Sequence, residues 1–461
     1  MRVLLINPPG SRPYLRDYHC SKVSKAGYLY HPVDLTFQSG ILSARHEVRV
    51  EDAIAERHSI DDVLRRVKRY APGAVFCLLG AAAWQEDAHF VAKLRQFFPG
   101  KIVVTGDIFL ENPEEPLAQL PGVDGVLLDF TSNGFLDYLE NPGDAPADML
   151  VADGGKLKSA PKLPRKGSFS IPVPRYDLFP GEKYHYPFVR RRPFATILTD
   201  YGCPFPCSYC IMSAVGYRTR PVDNVMEELR WLKRNGYREL YINDQTFGSQ
   251  RGRTYELLDT MARELLNLGW VCFTRADLLD DELAGRMKVA GCHTVMFGVE
   301  HASEPILRSY NKSVDASSVS RAFSVARRYR LRTVATFIIG FPEDDAETIM
   351  KTIDIALELD PDFASFNFVV PRRGTGVRKR AIEMGLADPK QIAMDQAGEN
   401  IAMPTRHLSR DEMAVLRRRA IRSFYLRPQY IIKRALALRT GYEVRATARE
   451  GIEVVRGLLR R

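Results

Sequence analysis

The sequence predicts an α/β protein in three parts. These are an N-terminal doubly wound parallel sheet, a partial (β/α)6 barrel and a C-terminal helical extension. Three observations carry the prediction. Short apolar runs alternate with helical patterns over residues 1–150 and again over 189–375. Gly, Pro, hydroxyl and charged residues gather where those runs end, which is where parallel sheets place their chemistry. From Arg406 onward the strand patterns stop, and 15 Lys or Arg stand against 5 Asp or Glu.

In the first array the expected strands are Val3–Ile6, Glu47–Val50, Ala74–Leu79, Ile102–Thr105 and Val123–Leu128, with helices such as Ile60–Tyr70 and Gln85–Phe98 between them. Residues 151–188 hold Pro161, Pro164, Pro172, Pro174 and Pro180 among Gly, Lys and Ser, the composition of a linker. In the second array the expected strands are Phe194–Thr199, Glu239–Asn243, Val271–Thr274, Thr294–Gly298, Thr333–Gly340 and Phe363–Val370. Six βα units suit a barrel that stays open. Residues 376–461 read as the basic helical region, with a helix opening at Ser409 and Glu412 in capping-box spacing.

At 461 residues the chain can bury two or three cores. Its seven cysteines form no spaced disulfide framework, which predicts a reducing, cytoplasmic setting. The apolar run at the N-terminus is too short for a signal peptide, and no stretch approaches ~18 apolar residues, so no membrane span is expected. A net charge of +10 does not by itself indicate nucleic-acid binding, and no nucleic-acid partner is expected.

The most informative residues follow the first barrel strand: Cys203, Cys207 and Cys210, in Tyr-Gly-Cys-Pro-Phe-Pro-Cys-Ser-Tyr-Cys. Three soft thiolates suit an iron–sulfur cluster with one iron open, or zinc if a fourth ligand is found. No Cys or His stands at the spacing of that fourth ligand; the next cysteine is Cys272. Later strand ends carry Asn243-Asp244-Gln245-Thr246, Arg275 with Asp277, Gly298-Val299-Glu300-His301-Ala302-Ser303, and Ile338-Ile339-Gly340-Phe341-Pro342-Glu343. From the residues alone, Asp244 is a ligand-facing carboxylate or a turn-forming one, and Arg275 clamps a carboxylate ligand or makes a barrel salt bridge.

The C-x3-C-x2-C loop, with Tyr209 before its last cysteine, resembles the signature of radical S-adenosylmethionine (SAM) enzymes. The resemblance implies a [4Fe-4S] cluster on Cys203, Cys207 and Cys210. SAM would chelate the open iron and be split by one electron into methionine and a 5′-deoxyadenosyl radical. The Gly-Val-Glu and Ile-Gly-Phe-Pro runs are similar to the family's SAM-contacting runs. They imply SAM contacts at Tyr209, Asp244, Arg275, Glu300 and Gly340. His301, where the family usually has serine, would touch SAM, substrate or a second cofactor, or fill space.

Asn7-Pro8-Pro9, His31-Pro32-Val33-Asp34-Leu35, Asp52-Ala53 and Thr105-Gly106-Asp107 resemble the Rossmann-like cobalamin-binding domain of one large radical SAM class. That class includes the anaerobic Mg-protoporphyrin cyclase and hopanoid-modifying enzymes. The resemblance implies cobalamin contacts at Asn7, Pro8, Gly80, Thr105, Gly106 and Asp107. Two features depart from the class: there is no Asp-x-His-x-x-Gly motif, and Asp129-Phe130-Thr131-Ser132-Asn133 replaces its Gly-Glu-Gly-Glu-like turn.

The resemblance implies hydrogen abstraction from an unactivated carbon and cobalamin-dependent methylation of a small-molecule, lipid or tetrapyrrole-like substrate. A flavodoxin- or ferredoxin-type electron donor is expected. The alternatives are radical rearrangement, cyclisation or C–C coupling without catalytic cobalamin, and a non-catalytic cluster-bearing protein. The basic tail, with Phe424-Tyr425-Leu426 and Tyr430-Ile431-Ile432-Lys433-Arg434, allows peripheral contact with a membrane surface. It equally suits a packed amphipathic helix with a solvated basic face.

Overall fold

The structure is a computed structural model. It describes residues 1–25, 27–142, 145–153, 156–158, 166–391, 394, 401–438 and 440–459; the linker prolines Pro161 and Pro164 lie outside these. The chain divides into two compact units. One comprises Met1–His185, Ala214–Trp231 and Ile392–Asp395, and the other Tyr186–Ser213, Leu232–Gln391 and Gln396–Arg461.

The first unit holds a seven-stranded sheet in the spatial order Glu47–Asp52, Arg2–Asn7, Ala74–Leu78, Lys101–Thr105, Gly125–Leu127, Met149–Asp153, Lys156–Lys158. The first five strands pair in parallel and the last two antiparallel. The order reverses between Arg2–Asn7 and Ala74–Leu78. That is the switch point, beyond whose carboxyl ends open parallel sheets bind ligands. Strands Arg2–Asn7, Ala74–Leu78 and Lys101–Thr105 are buried, mainly apolar runs, as covering on both faces requires. Helix Ile60–Tyr70 forms because Ser59 and Asp62 cap it reciprocally and Val63, Val67 and Tyr70 line one buried face.

Within 151–188, expected as a linker, the described residues do more than span a gap. Met149–Asp153 and Lys156–Lys158 extend the sheet, and Lys166–Ser168 pairs in parallel with Tyr217–Thr219. The Tyr176 hydroxyl donates to buried Glu228, which also pairs with buried Arg220. Strands of three to five residues among Gly and Lys leave little apolar alternation to read.

The second unit holds six parallel strands whose spatial order follows the chain: Phe194–Ile197, Glu239–Ile242, Gly269–Thr274, Cys292–Glu300, Arg332–Ile339 and Phe363–Phe368. The expected barrel strands are all present, and the fourth runs longer than expected because a bulge at Gly298–Glu300 prolongs its pairing. Helices Arg410–Tyr425, Pro428–Ala437 and Gly441–Leu459 form the C-terminal extension, and Ser409 and Glu412 do form a capping box. Among the described residues no helix is long and apolar enough to cross a membrane.

Candidate active site

The cysteine loop leaves the first barrel strand and is held by groups from four other segments. Asp244 clamps its root: the Asp244 carboxylate accepts from Thr199 N (2.7 Å), Thr199 Oγ1 (2.5 Å) and Asp200 N (3.1 Å). Asp200 is paired with Arg253 at 2.8 Å, and Arg253 also donates to Thr199 O. Gly202 turns the chain at φ +83°, a left-handed conformation that favours glycine. Further along, Ser208 N donates to Tyr310 O and Gly376 N donates to Ser208 O, so the middle of the loop is bonded from both directions.

The three thiols sit in different surroundings. Cys203 Sγ lies 3.3 Å from Thr246 Oγ1 and is partly exposed. Cys207 is buried, and Arg275 Nη1 approaches its sulfur at 3.7 Å. Cys210 N donates to Cys207 O, closing a tight turn. Burial pushes the Cys207 thiol up, against the opposing pull of Lys312 and Arg275. Among the described residues no three His, Cys, Asp or Glu are gathered as ligands of a single ion. The donor set, three thiols on one loop, fits a cluster that takes one iron per thiolate.

Arg275 is almost wholly buried. It grips Asp277 with two hydrogen bonds (3.0 and 2.8 Å) and its guanidinium stacks 3.8 Å from the Phe205 ring centroid, inside the cysteine loop. The bulge turns Glu300 to φ +69°. There Glu300 Oε1 meets Lys312 Nζ at 3.2 Å, and Lys312 also donates to Gly298 O. His301 points elsewhere: its Nδ1 accepts from Ser303 N, and its Nε2 lies 3.0 Å from Asp344 Oδ1. Asp344 Oδ2 accepts from Gly340 N (2.7 Å) and Phe341 N (3.0 Å). Gly340 itself adopts φ +86°. Phe341 packs edge-on against Tyr209, with centroids 5.8 Å apart. Tyr209, Asp244, Arg275, Glu300, His301 and Gly340 therefore all lie on strand ends or loops of this one unit.

The sequence reading missed Asp344 and Arg253. An Asp four residues after Gly340, at the end of an apolar strand, was the available signal for Asp344. Arg253 gives none, because its partners lie more than fifty residues upstream.

The expected residues of the first unit turn their polar groups onto the chain itself. Asn7 Nδ2 donates to Asp52, while buried Arg16 donates to Asn7 Oδ1 (2.8 Å), to Pro8 O (2.9 Å) and, through Nε, to Asp87 (3.0 Å). Gly80 N donates to Asp87, Asp107 accepts from Ser21 N and Ala81 N, and Thr105 Oγ1 donates to Leu127 O. Gly106, at φ +132°, is pressed against the backbone: a Cβ there would lie 1.8 Å from Leu79 O. Among the described residues, the buried side-chain oxygens Asp34 Oδ2 and Gln38 Oε1 have no hydrogen-bond partner. Burial and the neighbouring charges of Asp17 and Asp107 push the Asp34 carboxyl well up. Orphaned buried polar atoms of this kind fit a site completed by a polar ligand.

Parallel strands that end in a three-thiol loop, with a carboxylate–lysine pair and a glycine turn at later strand ends, define a radical SAM barrel. Residues 197–356 match the Radical SAM superfamily, so this part of the chain is a Radical SAM domain. It is 29% identical over 448 residues to an uncharacterized methyltransferase of Pyrococcus horikoshii, covering 94% of each chain. It resembles the solved cobalamin-dependent SAM radical enzyme OxsB with a TM-score of 0.70 at 13% identity, over 99% of this chain and 71% of that one. It also resembles the radical SAM methyltransferase TsrM of Kitasatospora setae, with a TM-score of 0.64 at 18% identity, over 83% and 78%. The structural likenesses carry the fold: a parallel-sheet domain joined to a radical SAM barrel.

Proposed function

We propose that the protein is a cobalamin-dependent radical SAM methyltransferase acting at an unactivated carbon of a small-molecule, lipid or tetrapyrrole-like substrate. The observation that carries the reading is the three-thiol loop, bonded on both sides, at the carboxyl end of the first barrel strand. When bound, the cluster supplies one electron, SAM the precursor of the hydrogen-abstracting radical, and cobalamin the methyl group.

The protein's own residues do the rest. Cys203, Cys207 and Cys210 would each hold one iron of the cluster, with Arg275 and Lys312 offsetting thiolate charge. Asp244 fixes the loop root, so its role is positioning. Glu300, oriented by Lys312, offers a carboxylate to the SAM amino group. The Gly340 turn, held open by Asp344, lets backbone approach the adenine. Asp34 and Gln38 would supply unsatisfied polar atoms, a carboxyl and an amide oxygen, for a polar group of cobalamin. These assignments rest on the chemistry of the donors and on the resemblance to relatives named for methyl transfer and cobalamin. A small flavodoxin- or ferredoxin-type protein delivers the electron, and peripheral contact with a membrane surface belongs to the same reading.

The test is anaerobic turnover. Reconstituted protein given SAM and a strong reductant should release 5′-deoxyadenosine, and Cys207→Ala should not. Release that survives Cys207→Ala would sink the ligand assignment. No release from the reconstituted wild type would sink the reading.

A further inference from the structure

The chain's net charge is confined to one place. Lys and Arg exceed Asp and Glu by ten over the whole chain, and by the same ten from Arg406 onward. The preceding residues are therefore balanced, and the segment from Arg406 to Arg461 carries the entire excess, about half of it within its three helices. The same segment holds most of the exposed large apolar side chains among the described residues: Val415, Leu426, Ile431, Ile432, Leu436, Val444 and Ile452. Water-exposed aliphatic groups and an uncompensated positive field coincide in the same helices.

Helix Pro428–Ala437 shows how the two are arranged. Its inner face carries Tyr430 and Arg434, both buried. The Tyr430 hydroxyl donates to Asp362 O, and the Arg434 guanidinium lies 4.3 Å from the Phe363 ring centroid. Lys433 is tied to Asp360 at 2.8 Å. The Arg434 guanidinium also donates to Thr447 on the last helix at 2.9 Å. The outward face, spaced i, i+1, i+4, i+5, is Ile431, Ile432, Ala435 and Leu436, with the three large side chains 54%, 60% and 74% exposed. Ile432 and Leu436 border a shallow apolar cleft with Gln429, Lys433 and Ala437. Exposed Arg419 and Arg422 lie on the preceding helix.

We propose that this face docks on an anionic lipid surface, with Ile431, Ile432 and Leu436 entering the headgroup boundary and the basic C-terminal helices drawing the protein to negative charge. A second copy of the chain is a poor occupant, because two such tails repel. A protein partner is also disfavoured: the face has aliphatic side chains and no exposed aromatic anchor of the kind that dominates protein interfaces. The inference deepens the peripheral-contact part of the functional reading and is independent of its chemistry, since binding is read without turnover.

The test is sedimentation of the full-length protein with vesicles of phosphatidylcholine alone or mixed with phosphatidylglycerol, at low and high salt. Binding to the anionic vesicles should exceed binding to the neutral ones by about tenfold or more and fall with salt. The Ile432→Asp/Leu436→Asp variant should lose about tenfold in anionic-vesicle binding, with unfolding temperature and reductive SAM cleavage unchanged. The Arg419→Glu/Arg422→Glu variant should weaken binding while leaving the apolar face intact. Three results would overturn the proposal: no binding to either vesicle at low salt, binding that neither variant weakens, or a concentration-dependent oligomer in light scattering that the double aspartate variant abolishes. Loss of SAM cleavage with vesicle binding intact would count against the enzymatic reading and leave this one standing.

Discussion

His301 and Asp344 face each other from the fourth and fifth strand ends of the barrel, with Nε2 3.0 Å from Oδ1 and both side chains sealed from water. The same Asp344 caps the backbone of Gly340 and Phe341. One carboxylate therefore ties the Gly-Val-Glu-His run to the Ile-Gly-Phe-Pro run. Asp344→Ala would leave two buried backbone N–H groups, those of Gly340 and Phe341, without their acceptor. A loss of about 2–5 kcal/mol in folding stability is expected from denaturant unfolding, with SAM cleavage falling further than stability alone accounts for.

Asp244 gives a pH prediction. Burial, followed by the charge of Asp200, pushes its carboxyl up to about 7. A raised carboxyl binds its proton more tightly folded than unfolded. Its stabilising contribution is full below about pH 4 and is lost as pH rises toward 7. Asp244→Asn keeps an oxygen for Thr199 N and Asp200 N but cannot ionise. Unfolding free energy of the wild type relative to this variant should therefore fall between about pH 4 and 7, by an amount on the order of a few kcal/mol. A difference that stays flat across that window would contradict the ionisation argument.

Arg16 is the buried keystone of the first unit. It reaches Asp87, Asn7 and the Pro8 carbonyl at once, and the ion-paired side chains of Arg16 and Asp87 are fully shielded from water. Arg16→Ala strands the Asp87 charge and should cost about 3–5 kcal/mol. Arg16→Met/Asp87→Leu, which removes both charges, should recover much of that loss; thermal melts of the three proteins decide.

Glycine substitutions should split by site. Gly106→Ala puts a Cβ into the Leu79 carbonyl and should abolish soluble folding of the first unit. Gly252, in helix Arg251–Arg263, has open space around a built Cβ. Gly252→Ala should stabilise by about 0.5–1 kcal/mol. Expression yield and melting temperature test both.

These cases also show what the sequence made legible. The parallel strands were readable because burial on two faces demands unbroken apolar runs. The Ser409–Glu412 cap was readable because its partners are three residues apart. The cysteine loop declared itself because all three donors lie within eight positions. Arg16–Asp87 and His301–Asp344 were not readable: each joins residues far apart in sequence, and only the folded topology brings them together. Strand Met149–Asp153 runs directly into Gly154-Gly155, and Lys156–Lys158 is only three residues long, so neither stood out from a linker. Asp244 and Arg275 left two readings open, and their bonds to Thr199, Asp200 and Asp277 became visible only when the barrel placed those partners beside them.

The proposed enzyme is a radical SAM barrel that works with cobalamin. The most direct measurement is the iron and cobalt content, with the anaerobic ultraviolet–visible spectrum, of protein reconstituted with iron, sulfide and cobalamin. About four irons are expected, together with cobalamin that stays bound through gel filtration. A full cluster with no retained cobalt, after cobalamin has been supplied, would contradict the methyltransferase reading and leave a radical SAM enzyme acting without it.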